Sequence, residues 1–463
     1  MLILLNAVIK PLWIFGIDRR VQNDVGVAAY GTYFSIWNLS YVLLFLLDWG
    51  LTVFYNRQLS AKDSSIAEQA GTFVVVKLVF ALLYTTIVFG VAFFSGIDSW
   101  NIIGYVVFIQ VCSSMFVFFR AIITSQQWFR TDAWLSVLDK LLMILLCGTL
   151  LYFPSIMGGI SIERFLLLQA ACMAFAMIVA LTLLAVKKFH FSFKKRWPDN
   201  YIFKAALPFA IIVLLMSFHS RIDGFLLERI SGPEEAGKYA GAFRLLDAAN
   251  MLGFLFASFL LPYVARQWSE GKEIAGVVLT IRHLLLVAAI SLSCIVIFLA
   301  PWIQQALYHH TDSRSIEILQ WCLPALIGYS LVQVYGTVMA ATGNIVAFSY
   351  IILISVILNV LINILLIPSW GAKGSCIAAL VSQAFSGIAT MWYTRQKIKI
   401  GIDIRSGVIY IFIGGLICGF LYVSDNWPVN KLLILAGAGM IAAIMLWITR
   451  LVDLRNWKIS AHQ

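Results

Sequence analysis

The sequence predicts an all-α polytopic membrane protein: about 14 transmembrane helices in two six-helix lobes related by a parallel repeat, plus two C-terminal helices. Three observations carry this. Apolar runs long enough to cross a hydrocarbon core of roughly 30 Å recur from end to end. The basic residues between the runs are shared unequally by alternate loops. One segment recurs further along at a fixed distance.

The fourteen runs cover residues 2–17, 29–56, 71–95, 101–124, 134–155, 162–187, 201–227, 238–264, 277–301, 318–341, 346–367, 374–394, 406–423 and 431–450. A chain of 463 residues that is 61% hydrophobic and 12% charged has too little polar surface for a water-soluble domain. Its mean hydropathy is +0.91. The connections are short, which leaves no stretch able to fold as an extramembrane domain. The first run starts at Met1, carries Lys10 and Pro11 and leads into the polar "IDRRVQND". No small-residue cleavage site precedes that stretch, so the run reads as a spanning helix and not a removed signal.

Lys and Arg in the alternate loops divide 17 to 7. The richer side is the cytoplasmic one, which places both termini and the loop "KKFHFSFKKRWP" in the cytoplasm. The net charge of +11 then follows mainly from topology, with attraction to anionic membrane lipids second. The basic residues are scattered over many short loops, which argues against a nucleic-acid partner. Cys112, Cys147, Cys172, Cys294, Cys322, Cys376 and Cys418 all lie in apolar runs without metal-ligand spacing. They read as small buried hydrophobes. No metal, cofactor or catalytic group is expected.

Sliding the chain by 209 residues aligns 25–60 with 234–269 without a gap. Tyr30 and Phe34 meet Tyr239 and Phe243, and Arg57-Gln58-x-Ser60 meets Arg266-Gln267-x-Ser269. Six spans separate the matched second and eighth, so both halves enter the membrane in the same direction. Transporters built on such a repeat bind substrate between the halves. The expected organisation is an N-lobe over 1–190 (spans 1–6), a basic cytoplasmic linker over 187–200, a C-lobe over 201–395 (spans 7–12), and appended spans 13 and 14 with a tail over 396–463. Gly415 and Gly419 in span 13 have the small-xxx-small spacing that lets helices approach closely.

Charges inside the spans mark the candidate site. Arg221 on span 7 lies about 9 Å below the outer boundary at the helical rise. Asp223, two residues on, points to another side. Arg244 and Asp247 sit at matching depth on span 8, so Arg221 is expected to meet Asp247 and Arg244 to meet Asp223. His219, one turn before Asp223, makes a carboxylate–imidazole combination that could carry a proton near neutral pH. Nearer the cytoplasm lie Lys10, Asp48, Lys77, Arg120, Asp139, Lys140 and Arg282 with His283. Charges in hydrocarbon cost about 2.5–3.5 kcal/mol each on insertion scales, so they should face protein or water. Together they describe a hydrated, cationic cleft between the lobes. Arg221, Arg244, Lys77, Lys140, Arg120 and Lys10 are its candidate substrate contacts, and Asp223, His219, Asp247 and Asp48 its candidate ion-coupling or gating groups. Arg57, Arg120, Arg266 and Arg282 are near enough to the boundary to snorkel to it. An interhelix ion-pair network is the alternative reading for Arg221, Asp223, Arg244 and Asp247. Pro11, Pro208 and Pro262 interrupt backbone hydrogen bonds and are candidate hinges or packing kinks.

The stretch "TVMAATGNIVAFSYIILISVILNVLINILLIPSWGAKGSCIAALVSQ" resembles polysaccharide exporters of the multidrug/oligosaccharidyl-lipid/polysaccharide flippase superfamily. The resemblance rests on Gly343-Asn344, Asn359 and Asn363, Leu366-Ile367-Pro368, and Gly371 and Gly374. Asp223, Gly237, Tyr239, Phe243 and Pro262 extend it over 220–271. It implies an O-antigen-type flippase that carries an undecaprenyl-diphosphate-linked oligosaccharide across the bacterial cytoplasmic (inner) membrane by alternating access, coupled to H+ or Na+. Polysaccharide polymerase and glycosyltransferases would be neighbours in such a pathway. Pro208, Pro262, Asn359, Asn363 and Pro368 are the structural or hinge positions it suggests. The family's drug-exporting branch uses an acidic residue in span 1 for the coupling ion, whereas here that span is expected to hold Lys10 and no carboxylate. A membrane-embedded polymerase or glycosyltransferase would need a catalytic loop, and the longest loop, 188–200, offers only Asp199.

Overall fold

The computed structural model describes residues 8–60, 69–153, 159–189, 191, 200–309, 311–401, 403–424, 427 and 429–451. The expected linker over 187–200 and the tail beyond 451 therefore lie largely outside the described residues, as do the start of the first span and the side chains of Arg57 and Gln58. No strand occurs among the described residues. Eleven described helices are long and apolar enough to cross a membrane.

The first expected span is α1, wound as a π-helix over Trp13–Asp18 just after Pro11 and regular over Arg19–Val25. Span 2 is α2 (Val27–Val42), α3 (Phe45–Asp48) and α4 (Leu51–Ser60), broken at Trp49 and Gly50, which both have positive φ. Then follow α5 (Ala70–Phe94), α6 (Trp100–Ser125), α7 (Phe129–Tyr152), α8 (Ile162–Val186), α9 (Asn200–Ser231) and α10 (Pro233–Ser269). The remainder are α11 (Ala275–Leu307), α12 (Ser313–Cys322), α13 (Ala325–Ala341), α14 (Ile345–Ile398), α15 (Ile404–Ser424) and α16 (Lys431–Ile448). α14 holds two expected spans, joined where Gly371 turns at φ 52° and ψ −132°, a conformation that needs glycine. With α12 and α13 together forming the tenth, the fourteen expected spans are accounted for.

The chain packs as two compact units, Met1–Gly237 and Lys238–Gln463. The boundary falls after span 7, so α9, which the lobe assignment heads with the C-lobe, packs in the first unit. There it lies along α2, and α6 is flanked by α2, α4, α7 and α8. Close approach explains the glycines. A Cβ at Gly224 would stand 2.6 Å from Cε1 of Phe34, and one at Gly31 would overlap the carbonyl of Pro233. In the second unit α13 packs on α14, and α11 on α12, α13, α15 and α16. One apolar core there joins Leu260, Val278 and Leu285 to Val334 and Ile398. A second joins Val287, Leu299, Ile417, Ile434 and Ala438, which fastens the appended pair α15–α16 to α11.

The repeat has a backbone counterpart. Spans 1 and 2 are joined by Gly26 and spans 7 and 8 by Gly232, each at φ 89°. Around both, the glycine N–H closes on the fourth residue before it (Gln22 or Glu228), and its carbonyl accepts from the fourth after it (Tyr30 or Ala236). Tyr30, Phe34, Tyr239 and Phe243 are all buried, so the matched Tyr-x3-Phe is a packing match. The close approach expected at Gly415 and Gly419 is not found: among the described residues neither has a neighbour within 4 Å of a Cβ. Helix α15 instead meets α16 through Phe420 against Gly437, with Cζ 2.8 Å from the Cβ position.

Candidate functional site

In the first unit the expected charges fall into three groups. On α9, His219 and Asp223 are 3% and 2% exposed. Arg221, between them and half-buried, places its guanidinium 5.0 Å from the centroid of the Tyr41 ring on α2. The cation–π contact shelters this charge within the apolar run. Arg244 and Asp247, half-buried on α10, belong to the second unit.

The second group joins α3 to α5. Lys77, 1% exposed, gives its ammonium to the carboxylate of Asp48, to Thr52 Oγ1 at 3.4 Å and to the Leu47 carbonyl at 3.4 Å, and it lies over the Phe118 ring. Thr52 also donates to Asp48. Two residues expected to do separate jobs, one for substrate and one for the ion, meet here in one ion pair. The ammonium has three donors, and this site uses all three.

The third group brings together Lys10, Arg120, Asp132, Asp139 and Lys140. Arg120 grips Asp132 through two parallel bonds, Nε to Oδ1 at 2.7 Å and Nη2 to Oδ2 at 3.1 Å. Lys140 contacts Asp139 at 3.0 Å and lies 5.1 Å from the centroid of Trp13, in the π-helical part of α1. Lys10 is exposed and within Coulombic reach of Lys140, Asp139 and Arg120. Three cations face two carboxylates, which leaves one positive charge in excess and an accessible ammonium to present it.

One expectation is overturned. The first span does contain a carboxylate: α1 runs on to Val25, and Asp18, 2% exposed, accepts from the Tyr30 hydroxyl at 2.8 Å. Asp18 lies one residue beyond the apolar run, and the polar text after it reads as a loop, so hydropathy alone ended the helix too soon. Glu228 was missed in the same way near the C-terminal end of α9. It is buried, takes both bonds of Arg229 at 2.5 Å and accepts from Ser35 at 3.3 Å. Gln22 donates to the Gly237 carbonyl at 2.9 Å. The Asp-x3-Gln spacing on one helical face was the signal available for Asp18 and Gln22.

The motif residues of α14 serve packing. Asn359 donates to Ser382 at 3.3 Å, and Asn363 donates to the carbonyl and Oδ1 of Asn359 at 3.0 and 3.1 Å, all fully buried. Together with Gly374, whose Cβ position stands 2.8 Å from the Leu366 carbonyl, they tie the two halves of the helix together. Pro368 lies inside α14, three residues before the Gly371 turn. Pro208 and Pro262 lie inside α9 and α10 without ending them. Asn344 accepts from the Tyr393 hydroxyl at 3.1 Å, which gives the Gly-Asn turn a packing role too. Among the described residues no cluster of His, Cys, Asp and Glu has the makings of a metal site.

In the second unit, Asp312 caps α12 by accepting from the Ser315 N–H at 2.7 Å and pairs with Lys238 at 2.8 Å. Burial raises its pKa, but the bonds from Lys238 and Ser315 prevail and hold it down at about 2. Arg266, expected to snorkel, is exposed and pairs with Glu270 at 2.9 Å. Arg282, given the same expectation, is instead 3% exposed.

The family model for polysaccharide biosynthesis proteins matches residues 20–268, more than half of the chain. The chain belongs to that family. The MatE model also matches, over 208–365. No curated protein sequence matches. Among solved structures the fold is similar to that of lipid II flippase MurJ in an inward closed conformation, with a TM-score of 0.69 and 13% identity over 98% of this chain and 99% of that one. It is similar also to a MOP-superfamily transporter from Pyrococcus furiosus, titled for the reverse polarity of its binding pocket (0.64, 13%, 86% and 94%). A MATE protein in complex with MaL6 gives 0.61 at 14% identity, over 86% and 96%. Membership of the flippase superfamily and a two-lobed helical fold are thereby shown. The fold is thus one shared with structures named as a lipid II flippase and as MATE proteins, and it carries eleven described helices long and apolar enough to cross a membrane.

Proposed function

We propose that this polysaccharide-biosynthesis family member flips an undecaprenyl-diphosphate-linked oligosaccharide, the repeat unit of an O-antigen or other surface polysaccharide, across the bacterial cytoplasmic membrane by alternating access. The observation that carries the reading is the group around Lys10, Arg120 and Lys140, which keeps a net positive charge and one exposed ammonium within the spans. A diphosphate is the anionic part of such a lipid, and Arg and Lys are its natural donors. Arg221 and Arg244 are the outer contacts in this proposal. The prenyl tail stays in the bilayer while the sugar passes through water. Both termini are placed in the cytoplasm, and the polymerase and glycosyltransferases that use and make the lipid-linked glycan are the proposed partners.

An H+ or Na+ gradient is the proposed driving force. It acts only if the ion binds the inward and outward states with different affinity. Asp223 with His219 is the first candidate for the coupling group. Asp18 is the second, and it also gives specific support to an alternative reading as a small-molecule antiporter, because a buried acid in span 1 is the feature that branch requires.

The test is leaflet exchange by the purified full chain in liposomes carrying a fluorescent undecaprenyl-diphosphate oligosaccharide, with a proton or sodium gradient applied. Protein-dependent movement to the outer leaflet, lost in Arg221→Ala and Arg244→Ala variants that still insert, is the expected result. A static lipid together with gradient-driven efflux of cationic dyes would replace the flippase reading with the antiporter. A change in the covalent structure of the glycan would replace both with an enzyme.

A further inference from the structure

The second unit buries a cation that the proposed path does not use. Arg282 on α11 is 3% exposed. Its Nη1 donates to the Tyr335 hydroxyl on α13 at 3.2 Å, and Nη2 lies 3.4 Å from Nε2 of His283. Nε is buried and has no hydrogen-bond acceptor among the described residues. The Tyr410 hydroxyl on α15 reaches both the guanidinium and, at 2.5 Å, Nδ1 of His283. No carboxylate among the described residues pairs with Arg282. One acidic group, Asp403, is exposed and acts on His283. The site therefore holds one permanent charge, an imidazole and two phenols, in a chain where such a charge normally brings its own counter-ion.

A guanidinium taken out of water loses several kcal/mol of solvation unless an anion compensates it. The edge that carries Nε is the part of the fork with least to bond. That edge matches two oxygens of a phosphate in bidentate geometry. The depth agrees. Arg282 lies seven residues into α11, Tyr335 six residues before the end of α13 and Tyr410 six residues into α15, about 9–10 Å inside each helix end. With its 33 residues, α11 is about 50 Å long and exceeds a roughly 30 Å hydrocarbon core by about 10 Å at each end. A centred α11 thus puts the cluster where acyl chains give way to phosphates.

We infer that Arg282, Tyr335 and Tyr410 form a phosphate-binding site at the junction of α11, α13 and the appended α15, presented with a lipid headgroup or a free phosphate ion. Tyr410 is its outer wall, since it is half-buried while Arg282 and Tyr335 are enclosed. Filling it would clamp α15 to the body of the second unit.

The experiment is native mass spectrometry and thermal unfolding of the full chain after exchange into dodecylmaltoside. The probes are dioleoylphosphatidylglycerol, uncharged dioleoylglycerol and inorganic phosphate. Wild-type protein is expected to bind one phosphatidylglycerol and to be stabilised by it, while dioleoylglycerol has no effect. Arg282→Gln should weaken that binding about tenfold to a hundredfold, the loss expected for a charge-assisted bond. Tyr410→Phe should weaken it by less, and Asp403→Asn should leave it unchanged. Stabilisation by inorganic phosphate but not by the lipid, lost in the same variants, keeps the site and assigns it to the free ion. Should Arg282→Gln fail to fold, Tyr410→Phe decides. The inference is overturned if neither phosphate probe binds wild type, or if Tyr410→Phe binds both as wild type does.

Discussion

Asp48→Asn should unfold the first unit more readily without touching any substrate, because Lys77 would be left charged in a place where water does not reach. The Lys77 side chain is fully enclosed, whereas that of Asp48 is 30% exposed. Removing one partner of a buried pair costs about 3–5 kcal/mol, since the other charge is stranded. The partly open side of Asp48 argues for the lower end, about 3 kcal/mol. The reciprocal change, Lys77→Met, strands a carboxylate that water and Thr52 can still serve, so its cost should be about 1 kcal/mol. Methionine also keeps the chain volume over Phe118. The double variant removes both charges and should cost clearly less than the two singles together, a coupling of about 2 kcal/mol in the cycle. Unfolding in mixed SDS–dodecylmaltoside micelles, followed by tryptophan fluorescence, reads all four proteins. Leaflet exchange by the double variant should stay near the wild-type rate. Equal stability of Asp48→Asn and wild type would refute the stranded-charge argument. A stable Lys77→Met protein that binds lipid diphosphate poorly would return Lys77 to the substrate.

Gly31→Ala should cost about 1–3 kcal/mol by overpacking, since its new methyl overlaps the Pro233 carbonyl and forces α2 away from the α9–α10 turn; cross-linking of Cys pairs placed across that contact would detect the separation, and unchanged yields would rule it out. Gly26→Ala meets no atom within 4 Å, so its cost of about 1–3 kcal/mol should come from backbone strain at φ 89° alone and appear without any change in cross-linking. Asp312 is held at about 2 against an ordinary 3.8, so its contribution to stability is complete above about pH 4 and lost as pH falls from there through about 2. Lys238→Met should flatten that acid limb of the unfolding curve, and an unchanged limb in this variant would refute the assignment to Asp312.

The span pattern was legible because it depends on length and apolarity, which composition states directly. Breaks inside spans were not: Trp49-Gly50 and the turn at Gly371 lie in or beside apolar text that hydropathy cannot subdivide. The glycine motif around Gly371 and Gly374 could be seen only through resemblance, and its work proves to be backbone contact with Leu366. Membership of the second small-residue motif was misleading for the opposite reason. Gly415 and Gly419 have the spacing for a tight crossing, but spacing does not say which helix arrives, and among the described residues none comes within 4 Å.

The charged residues divide by a rule that explains both the successes and the omissions. A charge in the middle of an apolar run stands out by its cost, and Lys77, Asp139, Lys140, Arg221 and Asp223 were found that way. A charge at the end of a run looks like loop, yet α1 and α9 extend past the hydrophobic stretch and the buried Asp18 and Glu228 sit in those extensions, while Arg282, inside the ninth run, was read as near enough to the boundary to snorkel and is buried instead. Burial at that level comes from helix packing and not from lipid, so it leaves no mark in hydropathy. Each of these groups has a partner on another element within its own unit: Asp18 has Tyr30, Glu228 has Ser35, and Arg282 has Tyr335. Asp18 and Glu228 are carboxylates satisfied by donors from α2. Arg282 alone of the three is a cation met only by neutral hydroxyls and an imidazole, and this electrostatic deficit sets it apart as a place for an anion.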